Sequence, residues 1–323
     1  MIRTGFRTAE VEIPCTCGEL VQGVLGGEPF LVSCPIDRYS RVKVALDGES
    51  QVRATPSKAR RAAEAALSAL GHGGRSFSLD VSCPLPPSKG FGTSTADVVG
   101  AITAASVAAG AALVPIEVAR LAVSIEPSDG TMFPGLAILD HRSARDGAVL
   151  GSAPPLLIAV LEFEGTVDTL EYNSRLDITY LRSREPEYIR AVELLRRGLQ
   201  GGRWDLVGQA ATLSARINQR MLPKPELERA IQLGEAHGAL GVCAAHSGTL
   251  LGVLFGPEQE LQARALMASA QTRLKGLERC WMTRLVDGGP RVVSAGAVPE
   301  PRMAAIPSSI GTTETRRTRR FTE

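Results

Sequence analysis

Pro84-Leu85-Pro86-Pro87-Ser88-Lys89-Gly90-Phe91-Gly92-Thr93-Ser94-Thr95-Ala96 is the stretch whose reading decides the fold. Gly90 and Gly92 let the backbone come close to a bulky anion and adopt positive φ at no steric cost. Thr93, Ser94 and Thr95 follow at once and open a run of small, nearly uncharged residues. That run has no polar face, so it predicts a buried helix over 94–109. A helix N-terminus offers free N–H groups and the positive end of a dipole, which suit a phosphate. The hydroxyls can cap the helix, donate to phosphate oxygens or ligate Mg²⁺, and Lys89 can reach a phosphate as a mobile point charge. On these residues alone two readings stand: a phosphate cradle, or an ordinary glycine turn with a Ser/Thr cap. The GxxxxGKS/T spacing of a P-loop is absent, as is the third glycine of a Rossmann fingerprint.

Outward from this loop, the N-terminal side alternates like a strand meander over 9–13, 20–24, 30–32 and 40–46, between Gly and Pro breaks. An amphipathic helix is expected over 57–70 and a strand over 77–82. Beyond the buried helix, Pro115 opens another helix over 115–124, with strands over 136–140 and 156–161. After about residue 152 the character changes. Helices are expected over 187–200, 204–221 and 225–237, a strand–turn–strand pair over 238–244 and 249–255, a helix over 258–269 and a strand over 279–286. A β-rich half followed by an α+β half predicts two layered subdomains, 1–152 and 153–298, with a cleft between them. Residues 299–323 are rich in Pro, Ser, Thr and Arg and predict a disordered basic tail.

The 323 residues are 44% hydrophobic but only 4% aromatic, so the core must be built from Ala, Val, Leu and Ile. Lys+Arg 36 against Asp+Glu 34 leaves no broad electrostatic footprint for nucleic acid. The excess sits in Arg316-Arg317-Thr318-Arg319-Arg320, which reads as a solvated tail. No apolar run reaches the length of a membrane span and no signal peptide is evident, so a cytoplasmic location is expected. Cys15, Cys17, Cys34, Cys83, Cys243 and Cys280 form no CxxC pair and read as reduced thiols. No further Cys or His stands near Cys15-Thr16-Cys17 in the sequence, which argues against a metal there.

Pro84 to Asp97, read P-L-P-P-S-K-G-F-G-T-S-T-A-D, resembles the second motif of the GHMP kinases, P-x-x-x-G-L-G-S-S-A-A. Pro14-Cys15-Thr16-Cys17-Gly18-Glu19-Leu20-Val21-Gln22-Gly23 is similar to that family's first motif. Gly241-Val242-Cys243-Ala244-Ala245-His246-Ser247-Gly248-Thr249 stands where its third, glycine-rich motif belongs. The resemblance covers roughly residues 9 to 290. It implies an α+β, two-subdomain fold with an N-terminal ribosomal-protein-S5-like domain, which binds ATP, and a C-terminal ferredoxin-like domain. C-x-C-G-E-L-V-Q-G, S-C-P-I-D-x-Y-S and I-E-P-S-D-G-T-x-F are most similar to the L-threonine kinases of cobalamin biosynthesis. Two departures stand out: the third motif lacks the doubled glycines usual in the family, and Phe91 replaces a Leu or Met.

Carried over residue by residue, the resemblance implies ATP and Mg²⁺ as cofactors. Nucleotide contacts fall on Pro86, Lys89, Gly90, Phe91, Gly92, Thr93, Ser94, Thr95 and Ala96. Ser94 and Glu126 are the implied Mg²⁺ ligands, Asp129 the catalytic Asp, and Lys89 or a backbone donor offsets charge on the transferring phosphoryl group. Without the family, Pro127-Ser128-Asp129-Gly130 also reads as a plain type I turn. The small-molecule acceptor, L-threonine by resemblance, would meet Glu19, Asp37, Arg38 and Tyr39. Glu19 would hold an ammonium, and Arg38 or Arg142 the carboxylate. His72 and His237 read as surface and helix-end residues, while His246 falls where it would line the cleft. No zinc-like His spacing occurs, no nucleic-acid or membrane partner is expected, and a homodimer is left open. A related homoserine kinase and a nucleotide-binding regulator without chemistry are the competing readings.

Overall fold

The computed structural model describes residues 7–46, 57–165, 178–221 and 223–296. The tail expected over 299–323 lies outside them. Among the described residues ten strands form one sheet: β1 (Thr8–Leu25), β2 (Glu28–Leu46), β3 (Phe77–Ser82), β4 (Leu136–Leu139), β5 (Gly147–Gly151), β6 (Leu157–Phe163), β7 (Gly241–Ala244), β8 (Leu251–Phe255), β9 (Leu277–Arg284) and β10 (Arg291–Gly296). The helices are α1 (Ser57–Ala69), α2 (Thr93–Ala108), α3 (Pro115–Ile125), α4 (Ile178–Ser183), α5 (Glu185–Gly201), α6 (Trp204–Ile217), α7 (Leu227–Ala236) and α8 (Glu260–Arg273).

The four short strands expected at the N-terminus are two long ones. β1 and β2 form a single antiparallel hairpin around Gly26–Gly27, and its register slips between Pro14 and Thr16, Thr16 and Glu19, and Glu19 and Val21. Pro14, Gly18 and Pro35 looked like breaks in the sequence. Bulges absorb them instead, because a bulge tolerates a residue that cannot continue the ladder. The irregular stretch re-aims Thr16, Gly18 and Glu19, which is where the cleft lies.

The strand order is β5-β4-β2-β1-β7-β8-β6-β9, with β10 on β1 and β3 on β2. β1 meets β7 through the Glu19–Ala244 pair, which joins the two halves in one sheet. β5 and β10 were not anticipated: Gly147–Gly151 and Arg291–Gly296 are half to fully exposed, so they lack the apolar alternation that marks a strand. The helix expected over 204–221 ends at Ile217 and tightens into a 3₁₀ turn at Asn218–Arg220.

α2 packs across β1 and β2. Its interior Gly100 faces Val42, and a Cβ there would lie 2.5 Å from Val42 Cγ2. This close approach explains the small-residue sequence of the helix: bulk would hold the helix off the sheet. On the other half, Gly23 lies flat under the Tyr188 ring of α5. A second apolar cluster sits between β6, β8 and the helices α7 and α8.

Candidate active site

Three separated segments interlock around the glycine loop. Thr16 N donates to Phe91 O at 2.8 Å and Gly18 N to Gly90 O at 3.3 Å, tying the bulged part of β1 to the loop. From the other side Thr249 N and Leu250 N both donate to Lys89 O, at 3.1 and 3.3 Å. A Cβ on Gly18 would sit 2.5 Å from Ala245 N, and one on Gly90 would strike the Ala245 side chain. The three motifs are therefore mutually fitted surfaces.

The loop feeds α2 through Gly92, the N-cap residue, at φ 61. No hydroxyl caps this helix, so the Ser/Thr cap of the plain glycine-turn reading is absent. The hydroxyls face elsewhere. Ser94 Oγ, exposed in the cleft mouth, donates to Glu126 Oε1, and Thr95 Oγ1 accepts from Asp129 N at 3.2 Å. Ala96 N turns back to Gly92 O at 2.9 Å as the first helical bond. Glu126 is the C-cap of α3 in extended conformation, which swings its side chain back over the start of α2. Lys58 of α1 completes this corner, its Nζ 2.5 Å from Glu126 Oε2.

Asp129 lies beside Gly92, where a Cβ would strike its Oδ2 and pass 2.7 Å from Thr16 Oγ1. Burial, reinforced by the negative charge of Glu126, pushes the Asp129 carboxyl up to about 7. Glu19, 4% exposed, is pushed well above the ordinary carboxylate range, first by burial and then by the charge of Asp129. Its Oε2 has no hydrogen-bond partner among the described residues. His141 is equally enclosed, neither ring nitrogen has a hydrogen-bond partner among the described residues, and burial lowers it to about 3. It stands edge-on to His246, with ring centroids 5.0 Å apart, and His246 Nδ1 lies 2.5 Å from Gln22 Oε1.

These groups line one cleft of about 250 Å³, bounded by the turn at Ser88–Thr95, by Glu126–Asp129 and by Glu19. Of the expected residues, Glu19, Gly90 to Thr95, Glu126 and Asp129 meet there, while Pro86 and Ala96 do not line the cleft. Lys89 does not line the cleft: its Nζ donates to Phe163 O at 2.8 Å and pairs with Glu278 at 2.6 Å. Asp37 and Arg38 face β9 instead, and Tyr39 faces β10. Asp37 Oδ1 accepts from Thr283 Oγ1, Arg38 lies over the Trp281 ring at 5.3 Å, and Arg291 covers Tyr39 at 4.6 Å. Arg142 is exposed beside the cleft rather than in it.

Sequence reasoning gave no role to Lys58, Thr16, Ser128 or His141, all of which line the cleft. His141 follows directly on the buried strand β4, a placement that could have raised it above a surface histidine. The cysteines lie closer together than their sequence spacing suggested. Sequence distance hid their proximity: Cys15 Sγ lies 3.7 Å from Cys83 Sγ, and Cys243 Sγ donates to Cys17 O at 3.2 Å behind the cleft. All six are free thiols.

Among the described residues no group of three or more His, Cys, Asp or Glu could hold a metal by protein ligands alone. Ser94 and Glu126 are nevertheless a hydroxyl and a carboxylate converging on one point. That hard oxygen set fits Mg²⁺, which takes few protein ligands and completes its shell with phosphate and water.

The chain matches two family models, GHMP kinases N terminal domain over residues 57–135 and GHMP kinases C terminal over residues 191–271. It is 32% identical to an L-threonine kinase of Salmonella typhimurium over 307 residues, covering 89% of this chain and 97% of the relative. It is 33% identical to an L-threonine kinase of Citrobacter freundii, covering 76% and 86%. Among solved structures, homoserine kinase from Cytophaga hutchinsonii aligns with a TM-score of 0.66 at 17% identity, over 89% of this chain and 98% of that one. At that identity the likeness shows the fold alone.

Proposed function

This chain belongs to the GHMP kinases, and on that premise we propose that it phosphorylates the side-chain hydroxyl of L-threonine, with ATP as donor, to give O-phospho-L-threonine. It is an ATP-dependent small-molecule kinase. The observation that carries the acceptor reading is the enclosed Asp129 carboxyl between the glycine loop and Glu19. A hydroxyl entering there meets a group able to receive its proton.

The chain's own residues divide the work. The Gly90–Thr95 turn and the free N–H groups of α2 bind and orient the phosphates. Ser94 and Glu126 would hold Mg²⁺, and Lys58 neutralises the outer oxygen of Glu126. When bound, Mg²⁺ would screen charge across the β- and γ-phosphates. Asp129, raised toward neutral pH, orients the hydroxyl and accepts its proton late. Glu19 Oε2 receives the α-ammonium. The α-carboxylate falls to the single N–H of the neutral His141 ring, whose nitrogens have no partner among the described residues, because Arg38 and Arg142 do not line the cleft. Lys89, held by Glu278, is given no part in the transfer.

The product would supply the aminopropanol linker of adenosylcobalamin. No helix among the described residues is long and apolar enough to cross a membrane. Incubating the enzyme with ATP, Mg²⁺ and L-threonine and following ³¹P NMR tests the reading. A phosphomonoester signal coupled to the threonine β-proton is expected; ADP release without it would remove threonine as acceptor.

A further inference from the structure

We propose that this kinase carries a second small-molecule site, separate from the catalytic cleft, that takes a free α-amino acid as a zwitterion and is coupled to the phosphate loop. The site is a pocket of about 450 Å³ against the Gly248–Thr249 turn, walled by Phe163 and Leu251 and carrying Lys224, Lys275, Glu164 and Glu226. None of these residues lines the cleft described above.

Lys224 is the reason to look for a ligand there. It is only 6% exposed, yet its Nζ makes one hydrogen bond, to Gly248 O at 2.5 Å, and no ion pair among the described residues. An ammonium has three donors, and a buried one without a counter-ion is costly. Burial lowers Lys224 to about 8, so it still carries its charge at neutral pH. Glu226 is already engaged, its Oε2 accepting Lys275 N at 3.2 Å and lying 3.5 Å from Arg229. The Glu164 and Lys275 side chains have no partner among the described residues. A carboxylate set against Lys224 with an ammonium toward Glu164 satisfies both ends of the pocket, and that is the charge pattern of an amino acid.

The coupling runs through shared hydrogen bonds. Phe163 O accepts from both Thr249 Oγ1 at 2.9 Å and Lys89 Nζ at 2.8 Å, and Thr249 N holds Lys89 O at 3.1 Å. Lys89 leads directly into Gly90. The positive charge of Lys224 also bears on His246 in the catalytic cleft. An anion at Lys224 would cancel that field and draw the ammonium off Gly248 O.

Full-length protein labelled for amide NMR is titrated with glycine, and with acetate and methylammonium as half-ligands. Saturable shifts are expected at Gly248, Thr249, Lys275 and Gly276, with glycine about tenfold tighter than acetate, as one added charge-assisted hydrogen bond implies. Methylammonium should produce none. Lys224→Met should abolish the shifts. Glu164→Gln, on an exposed residue, should reduce glycine to the level of acetate and keeps the test sound if the first variant does not fold. Saturating glycine should also change KM for ATP by about fivefold, the lower end of typical site–site coupling. Absent shifts, shifts unchanged in Lys224→Met, or shifts confined to Gly18, Glu19 and Asp129 would overturn the site. Binding without any change in KM for ATP would overturn the coupling.

Discussion

Asp129 and Glu19 are two carboxyls enclosed in one cleft: burial raises both, with the charge of Glu126 adding to Asp129 and that of Asp129 adding to Glu19. Asp129 can receive a proton from a hydroxyl only when ionised, so kcat/KM should rise with pH through about 7, the value to which burial and Glu126 raise it. Asp129→Asn should lower kcat by about 10²–10⁴-fold while leaving ATP affinity nearly unchanged; a wild-type-like kcat would remove it from the chemistry. The stability effect has the opposite sense. The folded chain holds this proton more tightly than the unfolded chain, so the group's contribution is present at acid pH and lost as pH rises through about 7. The Tm of Asp129→Asn should therefore exceed that of wild type by more at alkaline than at acid pH. A gap independent of pH would mean that the carboxyl is not perturbed by folding.

The glycine loop is an element whose shape is set by its neighbours. Gly92, at φ 61, brings α2 against Asp129 and Thr16, and Gly248, at φ 124, lies on the carbonyl of Lys89. Alanine at position 92 would add a left-handed strain of about 1–2 kcal/mol and a clash with Asp129. Gly92→Ala should therefore weaken ATP binding at least tenfold in equilibrium titration and lower the denaturation midpoint; unchanged ATP affinity would show that the loop can open without cost. Local chemistry made this loop legible in the sequence, because glycines, hydroxyls and an apolar helix all lie within one short segment. The same reading failed for Lys89, whose partners Phe163 and Glu278 come from the other half of the chain. It failed likewise at Asp37 and Arg38, where β9 supplies the contacts. Pairing partners distant in sequence leave no periodic trace, and an exposed strand such as β10 leaves none either.

At the scale of the whole molecule, one sheet runs through both halves and three motifs interlock across it. The break in composition near residue 152 falls between β5 and β6, but β1 and β7 are joined at Glu19 and Ala244. The Gln22 carbonyl on β1 accepts hydrogen bonds from Ser214 of α6 and from Asn218, which caps that helix. Neither half buries its own edge without the other. Urea unfolding followed by Trp204 and Trp281 fluorescence and by far-UV circular dichroism should give one coincident transition. ATP at about 100 times its Kd should raise stability by about 2.7 kcal/mol. Two separated transitions would mean that the halves fold independently and the cleft is only an assembly of them.

On the proposed reading, the cleft offers Glu19 to an ammonium, Asp129 to a hydroxyl and His141 to a carboxylate, the groups of a hydroxy-amino acid. Comparing kcat/KM for L-threonine, L-serine, L-homoserine and mevalonate under one coupled ADP assay tests this most directly. The account predicts L-threonine highest by at least about tenfold, with mevalonate, which lacks the ammonium, at background. A higher value for L-homoserine or for mevalonate would contradict it.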